Sequence, residues 1–385
     1  MDNRREVALG RQLIKDGYIA AFSAKSPSIF YMRGGVYNEK GEHIKLSDQI
    51  GGGYIAPRSI GNDSIASQIR LEKDRINFIH KNVFYIGVYV RQWGHFLIDV
   101  VNRLYDLEID NYYYVYCSNI EIEGNYRKFL ECIGITKDKL IQIKENEIVK
   151  FDKILVQEEG FVPGLYYTEK FRSIYEGIWM KTKRNLDSHS FLNKKIYLSR
   201  RNFSEAKWKE AGEASIQKFF VKNGFEVFYP EQLTLEQQII LFNYADQIAF
   251  ISGTIGHNIL FSSRKMDGNP TFIVLEKTSL TNNSQIMIEE MIFGEKKESF
   301  VVHIPIYKEN KWIRPKSYGE GPFLLYVTDE LSNYFNTQKV NQIFHINYFS
   351  YCSMLLRRKI RQIVRKVYYM PIINKLASPL INKVK

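Results

Sequence analysis

Residues 224–254 read GFEVFYPEQLTLEQQIILFNYADQIAFISGT, and their pattern decides the fold class. FEVFY is short and rich in aromatic and β-branched residues, as strands are. Thr234, with Glu236 and Gln237 in the turn that follows, is the start signal of a helix, LEQQIILFNYA. QIAFIS is a second strand, and it breaks at Gly253. Upstream, KKIYLSRR (194–201) predicts another strand, and EASIQKFFVKN a helix that stops at Gly224. Downstream, TFIVLE (271–276) predicts one more strand. This β-α-β-α-β order implies a parallel sheet with helices on both faces.

The first half carries the same rhythm more faintly. VFYIGVYV (83–90), YYYVYC (112–117) and FDKILVQE (151–158) are the expected strands, with helices at 93–104 and through NYRKFLECIG. Residues 1–80 show no regular pattern, and GGGYIAPRSIGND (51–63) is rich in turn residues. A helical stretch from Thr168 runs into the basic, polar KTKRNLDSHSFLNKK (181–195), the best linker candidate. The expectation is an α/β protein of two Rossmann-like domains, 1–185 and 192–330, followed by a basic tail, 353–385. A ligand cleft would lie between the domains, at the C-terminal ends of the strands.

At 385 residues two domains are the default. The composition, 45% hydrophobic and 25% charged, is that of a soluble globular protein. The 26 Tyr and 25 Phe suggest wide, half-wet clefts. Three cysteines show neither metal-ligand spacing nor a paired framework, and read as buried thiols of a reducing compartment. No apolar leader opens the chain and no run is long enough to span a bilayer, so a cytoplasmic location is expected. The net charge of +12 is not spread evenly. Ten of the 54 Lys and Arg lie beyond Glu330, where there is no Asp or Glu, leaving 44 basic against 42 acidic residues on the body. That distribution, without a nucleic-acid motif, argues against nucleic acid as the partner.

Four clusters could carry chemistry. WGHFLIDVVNRL (93–104) spaces His95, Asp99 and Arg103 four residues apart, on one stripe of a helix. The bland alternative is a surface helix with a solvated Asp99–Arg103 pair. Ser199, Arg200 and Arg201 end a strand, where arginines can clamp an anion. Ser252, Gly253, Thr254, His257 and Asn258 lie in a strand-to-helix turn whose amides can bind one too. Glu276 ends TFIVLE and suits the hydroxyls of a ribose. Together these describe a nucleotide-diphosphate pocket. The chain holds no Asp-x-Asp and no His/Cys cluster, so neither metal nor other cofactor is expected, and arginines and amides would neutralise the diphosphate.

These residues resemble glycosyltransferase family 61, which includes bacterial capsule and surface polysaccharide enzymes. The resemblance rests on the His-x-x-x-Asp-x-x-x-Arg-Leu helix, the Ser-Arg strand end, the run from Gly224, and the turn ending Asn258-x-x-Phe261. It covers roughly residues 83–280. It implies a GT-B architecture and metal-independent sugar transfer from a nucleotide-sugar, with inversion. Residues 1–185 would then hold the acceptor, an oligosaccharide or lipid-linked glycan, and 192–330 the donor. The family's His-Gly-Ala-Gly turn falls on Ser252-Gly253-Thr254-Ile255, so its histidine is Ser252 here, and His257 stands where a small polar residue is usual. Asn102 replaces a frequent proline. Whether His257 takes over the missing contact stays open, as does a non-catalytic carbohydrate- or nucleotide-binding role. In a transferase, either His95 is the general base with Asp99 orienting it, or Asp99 is the base itself; Arg103 would hold Asp99 or meet an acidic acceptor.

In the tail, Leu356, Ile360, Ile363, Val364 and Val367 share one helical face, with Arg357, Arg358, Arg361 and Arg365 beside or opposite it. Pro371 should end or kink the helix. Such a segment either docks on the protein or lies on an anionic leaflet, which would place the protein peripherally on the cytoplasmic face of the membrane.

Overall fold

The computed structural model describes residues 8–23, 32–49, 63–183, 191–203, 206–263, 270–308, 315, 318–319, 321–337 and 343–368. The protein is a mixed α/β structure built on two main sheets. The first has six strands: β1 Arg11–Ser23, β2 Met32–Tyr37, β3 Asn77–Val88, β4 Tyr113–Cys117, β5 Leu140–Ile143 and β6 Ile148–Gln157. Their order is β2-β1-β6-β3-β4-β5. From β6 to β5 the strands are parallel, and β1 runs antiparallel to both its neighbours. The region that shows no pattern in the sequence thus supplies two strands. β1 extends the sheet because its register with β6 runs from Arg11↔Gln157 to Ala20↔Ile148.

A short hairpin follows, β7 Phe161–Val162 with β8 Tyr166–Tyr167. The second main sheet contains β9 Lys195–Leu198, then, after the two-residue β10 Glu210–Ala211, β11 Glu226–Phe228, β12 Gln247–Ile251, β13 Thr271–Glu276 and β14 Val301–Pro305. Its order is β11-β9-β12-β13-β14, all parallel. β12 is buried except at Gln247 and β13 except at its two ends, as the covered faces of a parallel sheet require. β10 pairs in parallel with β15, Phe323–Leu324.

The helices between these strands form where local chemistry asks for them. Thr234 and Gln237 make a reciprocal capping box at the start of Leu235–Tyr244. The helix Glu213–Lys222 ends before Gly224, whose φ of +82° takes the left-handed conformation of a C-terminal cap. Its entry is equally constrained. Gly212 has φ +109°, and a Cβ there would strike the Leu325 carbonyl oxygen.

The chain runs outward from β9 to β11, then returns to add β12 on the other side of β9. The strand order therefore reverses between β9 and β12, and in open α/β sheets ligands bind outside the C-terminal ends of two such strands. Ser199-Arg200 and Ser252-Gly253 stand there. A single apolar cluster runs from the first sheet to the second. Phe261 lies 6.1 Å from Phe129 and 5.6 Å from Tyr175, ring centre to ring centre. Many tyrosines expected at a wet cleft are core residues instead, among them Tyr85, Tyr114, Tyr175 and Tyr197. Cys117 is buried as expected, whereas Cys132 is half-buried and Cys352 exposed.

Residues 343–368 form one helix that starts well before the expected tail boundary at 353. Residues 184–190 of the expected linker, and Pro371, lie outside the described residues. Among the described residues, no helix is long and apolar enough to cross a membrane.

Candidate functional site

The segment 93–103 is not the regular α-helix that the spacing predicts. Trp93–His95 form an α turn, Phe96–Val100 a π turn and Val101–Arg103 a 3-10 turn. The wide π turn is anchored from outside: Tyr175 donates its hydroxyl to the Leu97 carbonyl at 2.6 Å, and Gln49 Nε2 donates to the Asp99 carbonyl at 3.2 Å. Such π turns occur often at functional sites. Nor is the segment a surface helix, since Phe96 to Leu104 are all buried.

His95 and Asp99 meet across the turn, with Nδ1 2.6 Å from Oδ2. Asp99 is 3% exposed, and the His95 side chain 23%. An ionised carboxylate only accepts hydrogen bonds, so Nδ1 carries the proton and Nε2 is the basic nitrogen.

Arg103 does not continue the stripe. The tight turn after Val100 swings it into the interior, 1% exposed, where it donates to the carbonyls of Asp48 (2.5 Å) and Gln157 (3.4 Å). Its acidic neighbour is Glu159, at 3.7 Å. Asn102 holds the same carboxylate through Nδ2, at 3.0 Å. Both residues tie the π segment to the end of β6.

The Trp93–His95 turn is pressed against the 254–261 helix of the other half. A Cβ built on Gly94 would lie 2.8 Å from both His257 Nδ1 and Thr254 Cγ2, so only glycine fits. Trp93 Nε1 donates to Asn258 Oδ1 at 2.6 Å, and Asn258 Nδ2 donates to Gln238 Oε1 at 2.7 Å. His257 is buried, its Nδ1 3.4 Å from the Gly94 carbonyl. Burial drives its pKa down to about 4, and the neighbouring His95 adds to that. His257 is therefore neutral at pH 7, and its chemistry is that of a hydrogen-bonding support.

At the other end of the same turn stands a group of charges. A Cβ on Gly253 would be 2.6 Å from Arg200 Nη1 and 3.7 Å from Lys277 Nζ. Both cations share Glu210 Oε1, Arg200 at 3.5 Å and Lys277 at 3.4 Å. Glu210 and Lys277 are nearly inaccessible, and Arg200 is 16% exposed. Burial lowers the Lys277 pKa to about 8, against the pull of Glu210. Behind them Glu213 accepts hydrogen bonds from the Arg200 amide (2.5 Å) and Ser199 Oγ (3.0 Å). Burial, with the charge of Glu210, raises Glu213 to about 7. Two cations thus meet at Glu210, and burial holds the second carboxyl, Glu213, toward its neutral form. Arg200 and Lys277 stand where the 253–258 turn begins, and an anion there would meet both cations.

The remaining residues of the expected donor site fall around this group. Ser199 is fully buried and serves the Glu213 contact, while Arg201 is exposed in the following turn. Ser252 is fully buried, and its hydroxyl has no hydrogen-bond partner among the described residues. Glu276 ends β13 with one oxygen 2.8 Å from His303 Nδ1 and the other accepting from the Tyr318 hydroxyl at 3.1 Å. His303 also meets Glu289 at 3.0 Å. Burial alone would lower the His303 pKa, but its hydrogen bonds to Glu276 and Glu289 outweigh this and push it up to about 9.

Sequence reasoning missed Lys277, Glu210 and Glu213. Lys277 directly follows Glu276 at a strand end, a signal that was present. Glu210 and Glu213 follow Arg200 by ten and thirteen residues, across a turn and the start of a helix, and no local spacing pairs them with it. Among the described residues, no group of three or more His, Cys, Asp or Glu is placed to hold a metal ion.

No curated protein matches the chain. The family model Glycosyltransferase 61 matches residues 93–269, from Trp93 of the His95–Asp99 turn to just before β13. That segment contains the His–Asp pair, the Arg200 strand end and the 252–258 turn. Residues 93–269 carry the glycosyltransferase 61 domain, and the chain is a glycosyltransferase.

Proposed function

We propose that this glycosyltransferase moves a sugar from a nucleotide-sugar to an oligosaccharide or lipid-linked acceptor of a capsular or surface polysaccharide. In this reading it works as a GT-B enzyme, metal-independent and inverting. One observation carries the reading: the 253–258 turn touches the Arg200–Lys277 cations at one end and the His95–Asp99 turn at the other. Groups for a leaving diphosphate and for a base are thus joined through one short turn.

The donor diphosphate lies against Arg200, Lys277 and the amides that open the 254–261 helix, and the lone pairs of Glu276 not taken by His303 and Tyr318 serve the ribose. The acceptor hydroxyl approaches from the first half and gives its proton to His95 Nε2. Its oxygen attacks the anomeric carbon as the bond to the diphosphate breaks, and the leaving charge falls on Arg200 and Lys277. A single displacement inverts the anomeric centre. Asp99 holds the His95 tautomer and stabilises the imidazolium that forms. The alternative, Asp99 as the base, is disfavoured because Asp99 is almost inaccessible while His95 is partly open.

The neutralising cations are side chains, which supports a reaction that runs without a metal. The test is a panel of nucleoside diphosphates and nucleotide-sugars. One diphosphate should raise the melting temperature, and its sugar conjugate should be cleaved slowly by water without acceptor. Cleavage should persist in a chelator. Loss of cleavage with chelator, restored by magnesium or manganese, would refute the metal-free reading.

A further inference from the structure

The helix Ile343–Tyr368 has two apolar faces, and among the described residues only one of them is packed. The first docks on the small β10–β15 sheet. Tyr351 is buried there, Met354 and Leu355 pack beside it on Ala211 and Leu324, and Asn347 donates to Ser215 Oγ and the Leu325 carbonyl. Arg358 donates to the Gly321 carbonyl on the same side. Residues 347, 351, 354 and 358 follow helical spacing, so they form one stripe.

The second face lies opposite. Phe349, Leu356, Ile360 and Ile363 recur at intervals of seven, four and three, with Val364 beside them. They are 79%, 61%, 51%, 61% and 59% exposed. Five large apolar side chains on one continuous stripe are more than scattered surface residues. Cations border this stripe on both sides. Arg357 and Arg361 are exposed on one flank, their guanidinium groups 5.4 Å from the centre of the Trp208 ring, and Lys359 is exposed on the other. Trp208 is itself 51% exposed, an amphipathic ring at the edge of the stripe. No acidic residue occurs anywhere after Glu330.

We propose that this outward face is a docking surface for an anionic lipid bilayer. The helix would lie in the plane of the headgroups, its Phe349–Val364 stripe sunk into the acyl boundary and Arg357, Lys359 and Arg361 at the phosphates. Charge selects the occupant. A second copy of the chain on the same face would set these cations against their own counterparts, a repulsive pairing. A leaflet of anionic lipids supplies the complementary charge and a soft apolar layer together. Because the opposite face is fixed to the folded body, the helix holds the whole protein against the surface. This corrects the boundary expected from the sequence: truncation after Ser350 would remove Tyr351, Met354 and Leu355 and so damage the fold.

The test is flotation of the full chain with vesicles of phosphatidylcholine alone and of phosphatidylcholine with phosphatidylglycerol. Binding should need the anionic lipid and weaken as salt rises. The double variant Leu356→Gln, Ile360→Gln should lower partitioning on the order of tenfold or more. Its melting temperature and its nucleotide-sugar cleavage should stay unchanged, which separates this surface from the transfer reaction. Lys359→Glu should weaken binding to the anionic vesicles. The proposal is overturned by any of three results. The wild type fails to float with anionic vesicles at low salt, or the double variant floats as well as the wild type. The third is a wild-type dimer in sedimentation equilibrium that the double variant dissolves, without vesicle binding by either.

Discussion

Gly94 and His257 come from different halves of the chain and touch so closely that a single added methyl group would stand 2.8 Å from the imidazole. This contact sets the distance between the His95–Asp99 pair and the turn that leads to Arg200 and Lys277. Catalysis across a cleft needs that spacing held to well under an ångström.

Gly94→Ala should therefore force the two halves apart at the site. The cost is that of overpacking, about 1–3 kcal/mol of stability, and the loss of turnover should exceed what that destabilisation explains. Unfolding in urea and cleavage rates on the same variant measure both. A fully stable, fully active Gly94→Ala protein would show that the contact is incidental.

Lys277 should matter to donor binding and in a pH-dependent way. Its pKa of about 8 means that the free protein loses this charge as pH rises through that value. Nucleoside diphosphate affinity should fall as pH rises through 8, beyond the smaller loss that ionisation of Glu213 produces near pH 7. Lys277→Met should weaken binding about tenfold or more at pH 7, since a charge-assisted hydrogen bond is worth ~1.5–3 kcal/mol, and should flatten the slope. Glu276→Gln should cost about tenfold by the same reasoning. Calorimetric titration at several pH values checks all three.

His303 makes a separate prediction about stability. Its folded pKa of about 9 lies above the ordinary 6.5, so the fold binds this proton more tightly than the unfolded chain does. The stabilisation is fully present below pH 6.5 and is lost as pH rises through 9. His303→Gln should lose stability relative to wild type at pH 6.5, on the order of 1 kcal/mol given partial exposure of the ring, and the gap should shrink by pH 9.5. Melting curves of the pair at the two pH values provide the measurement, and the difference cancels the titration of Glu213, His257 and Lys277.

Much of the second sheet was legible because its signals are local. Thr234 and Gln237 announce a helix start within four residues, and β12 and β13 are apolar enough to demand burial on both faces. β1 was not legible, because RQLIKDGYIAAFS is exposed along much of its first half and its partner β6 lies more than a hundred residues away. The site divides in the same way. His95 and Asp99 could be paired from their spacing, which an α turn and a π turn satisfy alike. The π turn itself, and with it the inward swing of Arg103, depends on anchors such as Tyr175 and Gln49 that no local pattern encodes. The Arg200–Glu210–Lys277 group is likewise a product of topology, since β9, β10 and β13 bring it together at the reversal of strand order.

In the proposed reaction His95, oriented by Asp99, acts as the base in a chemical step separate from donor binding. The most direct measurement is the single-turnover rate of sugar release from the bound donor in His95→Ala, with nucleotide affinity determined on the same protein. The rate should fall by about 10²–10⁴ with an unchanged dissociation constant, because a general base contributes only to the transition state. A His95→Ala protein that releases sugar at the wild-type rate, or one that loses nucleotide affinity in parallel with rate, would contradict it.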